Sequence, residues 1–198
     1  IKKRVDIMQR TSSKYILKIV VVGLMAGLVF VTSLLQIELP LPGRMTRIHL
    51  GNSMCLLAGL LFGGVTGGLS AGIGSGIFDL IFYSPADIPF TFAFKFLLAF
   101  VCGIIAHSRK SYGMYMPLNI LGGILGQLTY IILYLSKEFI FSLLEGNAVS
   151  TTWVATGTRA FASSVNAVVA IIIAVPLALI IRKSLSKTSF SQLMNTRK

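Results

Sequence analysis

The stretch Leu50–Phe78, LGNSMCLLAGLLFGGVTGGLSAGIGSGIF, carries no charged residue and is interrupted only by the glycine pairs Gly63-Gly64 and Gly67-Gly68. Paired glycines punctuate local structure. The reading that fits is a tight helix-turn-helix, with one helix over 50–62 and a second over 65–82. The first is only about 20 Å long at 1.5 Å per residue. It must therefore be tilted, shielded by protein, or extended backward through His49. Working outward, Tyr15–Gln36 forms a helix that stops before Glu38-Leu-Pro-Leu-Pro-Gly43, and a polar loop follows over Gly43–His49. Downstream, Tyr83-Ser-Pro-Ala-Asp-Ile-Pro89 is a turn, and helices fall over 90–106, 114–135 and 155–181, the last two separated by a loop over Ser136–Trp153.

Composition places this arrangement in a bilayer. Only 12% of the residues are charged and 55% are hydrophobic, with a mean hydropathy of +0.82; a soluble domain is about a quarter charged. A hydrocarbon core about 30 Å thick takes around 20 helical residues per span. The 198 residues thus hold about six spans and leave no room for a soluble catalytic domain. The basic start before helix 1 is reminiscent of a signal-peptide n-region, but the apolar run is too long and no A-x-A-like site closes it, so Tyr15–Gln36 is expected to be a retained helix.

Charge sets the topology. The net charge of +12 does not imply a nucleic-acid partner, because Lys and Arg gather at the ends of hydrophobic segments rather than in stripes on a polar face. Counting 50–82 as one span would give five helices and termini on opposite sides. With six, the segments on one side hold Lys2, Lys3, Arg4, Arg10, Lys14, Lys18, Arg109, Lys110, Arg182, Lys183, Lys187, Arg197 and Lys198, thirteen of eighteen basic residues. The positive-inside rule then puts both termini in the cytoplasm. Glu38, Asp79, Asp87, Glu138 and Glu145 fall on or near the outer side.

Ionisable and strongly polar side chains inside a membrane mark functional positions, since each costs about 2.5 to 3.5 kcal/mol at the bilayer centre on insertion scales. Here Asp79, Lys95, Gln127, Tyr130, Tyr134, Arg159, Ser163 and Asn166 fall mostly at one outer depth. Arg159, Ser163 and Asn166 share one face of helix 6, and Gln127, Tyr130 and Tyr134 one face of helix 5. The two stripes are expected to line one outward-facing cavity. His49 and Asn52 belong to the same candidate binding set, as does Trp153, placed just above Arg159. The bland alternative is that Asp79, Lys95 and Arg159 neutralise one another. Gly23-Leu-Met-Ala-Gly27 gives helix 1 a small-residue face through Gly23, Ala26 and Gly27, suited to close packing within the bundle or against another membrane protein.

No catalytic signature accompanies these features. The glycine-rich 63–70 stretch lacks the G-K-[ST] ending of a phosphate-binding loop, and H-E-x-x-H and G-x-S-x-G are absent. Cys55 and Cys102 stand alone in apolar runs, and His49 and His107 are expected on opposite sides of the membrane, so no metal site and no cofactor is expected.

The stretches His49–Gly64, Gly67–Gly76 and Pro89-Phe-Thr-Phe-Ala-Phe-Lys95 resemble the substrate-specific S components of energy-coupling factor (ECF) transporters, nearest to the riboflavin, hydroxymethylpyrimidine and vitamin B6 type subgroup. The resemblance implies an all-α integral membrane protein of six transmembrane helices in a bacterial plasma membrane, with no enzymatic activity of its own. Such a subunit binds its vitamin in an outward pocket capped by the loop between helices 1 and 2, here Pro40–His49. It docks through small residues of helix 1, here Gly23 and Gly27 in place of alanines, onto a transmembrane coupling subunit (EcfT-like) driven by two cytoplasmic ATPase subunits (EcfA-like). The expected ligand is a vitamin B6-like molecule (pyridoxine or pyridoxamine) or hydroxymethylpyrimidine. Riboflavin, pantothenate, folate or thiamine remain alternatives, as does a stand-alone permease or enzyme.

Overall fold

The computed structural model describes residues 2–41 and 44–185, with side chains described over 15–36, 49–109 and 111–184. Element order is α1 (Lys2–Leu34), β1 (Gln36–Leu41), β2 (Arg44–His49), α2 (Gly51–Phe62), α3 (Gly64–Phe82), α4 (Ile88–Ala106), α5 (Met116–Leu144) and α6 (Val149–Leu185). Five helical segments are long and apolar enough to cross a membrane: Tyr15–Leu34, Gly64–Phe82, Pro85–Ala106, Met116–Leu144 and Val149–Ser184. The sixth helix, α2, is short.

That short helix is the core of the bundle. α2 packs against α1, α3, α4 and α6, and all its residues except Met54 are buried. Of the three possibilities open to a helix too short to span, shielding by protein is the one realised. Its partners approach closely because the contact positions lack side chains. A methyl group at Gly67 would lie 2.5 Å from Gly59 Cα, and one at Gly103 would lie 2.5 Å from the carbonyl carbon of Gly63. Gly63, at φ 81° and ψ −176°, makes the turn that starts α3 at Gly64, one residue before the expected position.

A helix that ends inside protein must still satisfy its last carbonyls. Arg182 of α6 does this for α2. Its guanidinium donates to Leu60 O (2.9 Å from Nη2) and Leu61 O (2.5 Å), and it also meets His107 Nε2 at 2.5 Å. Arg182 is 2% exposed. It was expected as an interfacial topological charge; instead it is a buried cap, favoured at a helix C-terminus by the backbone dipole.

Three further expectations are corrected. Helix 1 ends at Leu34 rather than near Gln36, because the chain turns into an antiparallel hairpin pairing Gln36 with His49 and Leu41 with Arg44. The segment expected as a polar loop over Gly43–His49 is therefore β2 from Arg44 onward, while residues 42 and 43 lie outside the described residues. The loop expected over Ser136–Trp153 shrinks to residues 145–148, because α5 continues to Leu144 and α6 begins at Val149. Two of its charged residues are paired: Lys137 with Asp87 at 2.6 Å and with its neighbour Glu138 at 3.1 Å, and Glu138 also with Arg159 of α6. Lys187, Arg197 and Lys198 lie outside the described residues, as do the side chains of Lys2, Lys3, Arg4, Arg10, Lys14, Glu38, Arg44, Arg47 and Lys110.

Candidate functional site

Four of the expected polar residues meet at the N-terminal end of α2. Asn52, in its first turn, faces Lys95 of α4 and Gln127 of α5, and all three are buried, at 1%, 6% and 2% exposure. Lys95 Nζ donates to Asn52 Oδ1, and Asn52 Nδ2 donates to Gln127 Oε1 at 3.5 Å. The Lys95 ammonium also sits 4.1 Å from the centre of the Tyr130 ring, a cation–π contact. Tyr130 stacks on Tyr134 with an interplanar angle of 6°. The core around the cluster is apolar, including Cys55 and Leu98. Cys55 and Cys102 are buried free thiols, and Cys55 Sγ lies 3.8 Å from Ser75 Oγ.

A second tie closes the cluster from above. The backbone N–H of His49, the last residue of β2, donates to Asn166 Oδ1 of α6 at 3.1 Å. This bond joins the hairpin to the helix opposite, beside the N-terminus of α2.

The remaining expected residues are dispersed. Asp79 is half-buried near Thr91 and acts on Lys95 only through space, with no ion pair between them. Arg159 is turned to Glu138 at the rim. The bland alternative, in which Asp79, Lys95 and Arg159 neutralise one another, meets no ion pair among the three in the described residues. Ser163 is buried one turn before Asn166. Trp153 lies one turn inside α6, 63% exposed, packed on Phe139 with ring centres 4.9 Å apart. That position takes it away from the polar cluster and toward the outside of the bundle.

The expected cavity between two polar stripes is also corrected. Of the α5 stripe, Gln127 reaches Asn52 of α2 and Tyr130 meets Lys95 of α4, and the space between α5 and α6 is a mainly apolar groove of about 210 Å³ lined by Ile124, Gln127, Leu128, Ile131, Val168 and Ile171, among others. On α1, Gly23 and Gly27 face open space. Ala26 does not share that face: it is 4% exposed, its carbonyl pressed against Gly74 of α3. No group of three or more metal-ligating side chains occurs among the described residues.

Sequence reasoning missed the Asp87–Lys137–Glu138–Arg159 network and the Arg182 cap. Both depend on pairings between distant helices. The clearest available signal was the placement of Lys137 and Glu138 in a segment with no turn residues before Gly146.

Comparison with known proteins agrees with this architecture. A solved chain described as "Structure and mechanism of the S component of a bacterial ECF transporter" superposes with a TM-score of 0.65 at 16% identity, covering 86% of this chain and 98% of that one. No curated protein sequence matches. The model of the family "ECF-type riboflavin transporter, S component" matches residues 13–183. That match, over most of the 198 residues, places the chain in the ECF-type riboflavin transporter S component family.

Proposed function

We propose that this S component captures a vitamin B6-like molecule or hydroxymethylpyrimidine at the Lys95–Asn52–Gln127–Tyr130 cluster. It then delivers the ligand through a transmembrane coupling subunit driven by two cytoplasmic ATPase subunits. The observation that carries the ligand reading is the cluster itself: a buried cation, two amides and a stacked tyrosine pair suit a small aromatic heterocycle with polar substituents. His49, Asn166 and Ser163 complete the site from the hairpin and α6. Asp79 and Arg159 set the charge at its mouth. Entry requires the hairpin to leave Asn166, so the His49–Asn166 bond is the closure of the site. Six spans with both termini in the cytoplasm of a bacterial plasma membrane complete the reading, with Gly23 and Gly27 as the docking face.

Riboflavin is the second reading, and the family's own description favours it. Isothermal titration of the purified chain against pyridoxine, pyridoxamine, hydroxymethylpyrimidine, riboflavin and thiamine decides between them. The proposal expects tight binding of a B6 vitamer or the pyrimidine; tight riboflavin or thiamine binding with no response to either refutes it.

A further inference from the structure

This inference rests on reading the Lys95 cluster as the ligand site. Buried polar groups in folded proteins balance donors against acceptors. This cluster does not. Lys95 Nζ has three N–H donors and no acceptor capacity. Among the described residues it meets one acceptor, Asn52 Oδ1, and one ring face, that of Tyr130. The amide N–H of Asn52 is directed to Gln127 Oε1, so both side-chain carbonyl oxygens are already engaged. Gln127 Nε2 is buried without a hydrogen-bond partner. Donors exceed acceptors in the capacity left over: each carbonyl oxygen keeps one lone pair, against two further N–H groups on Lys95, two on Gln127 Nε2 and one on Asn52 Nδ2, at a cation with no carboxylate within 4.0 Å among the described residues.

A desolvated cation with donors to spare is completed by an anionic oxygen. We infer that the ligand is a monoanion at its binding end, presenting a carboxylate or an ionised ring hydroxyl to Lys95 Nζ, with Gln127 Nε2 donating to the same or a neighbouring oxygen. One cation sets the charge at one. A dianion such as a phosphate ester would leave excess negative charge buried, and a neutral isostere would leave the ammonium uncompensated. Within the proposed ligands, pyridoxine has an ionisable ring hydroxyl and fits; hydroxymethylpyrimidine carries no acidic oxygen and does not.

The test is titration calorimetry on the full chain with two matched pairs, pyridoxine against its 3-O-methyl ether and nicotinate against nicotinamide, alongside riboflavin, thiamine and hydroxymethylpyrimidine. The expected result is that an acidic member binds and its neutral partner binds at least about tenfold more weakly, the discrimination of a charge-assisted hydrogen bond. Lys95→Gln removes that discrimination and Lys95→Arg preserves it. The wild-type pairs decide the matter even where a variant does not fold. Equal affinity within a pair, or tight binding of a neutral vitamin with no acidic binder, overturns the inference and leaves the binding role standing. Silence from every compound overturns the binding role and the inference together.

Discussion

At the scale of single residues, the buried cations do two different jobs. Lys95 faces a cluster with spare donors, whereas Arg182 is spent on the backbone, donating to the carbonyls of Leu60 and Leu61. Removing its guanidinium leaves buried carbonyls without partners, at about 1 to 3 kcal/mol for each unsatisfied group. Arg182→Met is therefore expected to lower thermal stability in detergent clearly, with Arg182→Lys recovering only part, since an ammonium cannot reproduce the planar fork. An unchanged unfolding midpoint for Arg182→Met would show that the cap contributes nothing. Lys95 was legible from sequence because a lysine in an apolar helix is costly wherever it points. Arg182 was misread because it adjoins Lys183 at a helix end, and nothing local records that its side chain turns back to α2.

Among the elements, glycine positions separate packing from recognition. Gly67 lies against the backbone of Gly59, which cannot yield as a flexible side chain can. Gly67→Val is expected to force α2 and α3 apart and to destabilise the chain by about 1 to 3 kcal/mol, the range for overpacking. Gly23 has nothing within 4 Å of the position a Cβ would take, so Gly23→Leu is expected to unfold at the wild-type temperature and to lose copurification with the coupling subunit. Retained copurification would remove Gly23 from the docking face. The α2–α3 turn could be read directly from its glycines. The extents of α5 and α6 could not, because Ser136–Trp153 looks polar in isolation. Its charges belong inside helices only once Lys137 finds Asp87 and Glu138 finds Arg159. The hairpin was hidden for a similar reason: prolines at 40 and 42 read as a loop, although Pro40 tolerates a two-stranded ribbon whose strands are both edges.

For the whole molecule, the decisive quantity is which side of the membrane each end of the bundle faces. The cluster, the hairpin and the α5–α6 connection lie at one end; Arg109, Tyr115 and the Gly63 turn lie at the other. A capture subunit needs the first end outside. The excess of basic residues in the sequence segments flanking the second end leads to the expectation that this end faces the cytoplasm, since positively charged flanks are retained there. Both native cysteines are buried, so single introduced thiols report position against a silent background. Asn147 and Tyr115 are exposed residues at opposite ends. Asn147→Cys is expected to react with a membrane-impermeant maleimide in intact cells, and Tyr115→Cys only after permeabilisation. The reverse pattern would turn the bundle over, moving the hairpin and Lys95 to the cytoplasmic side, and uptake from outside could then no longer begin at this cluster.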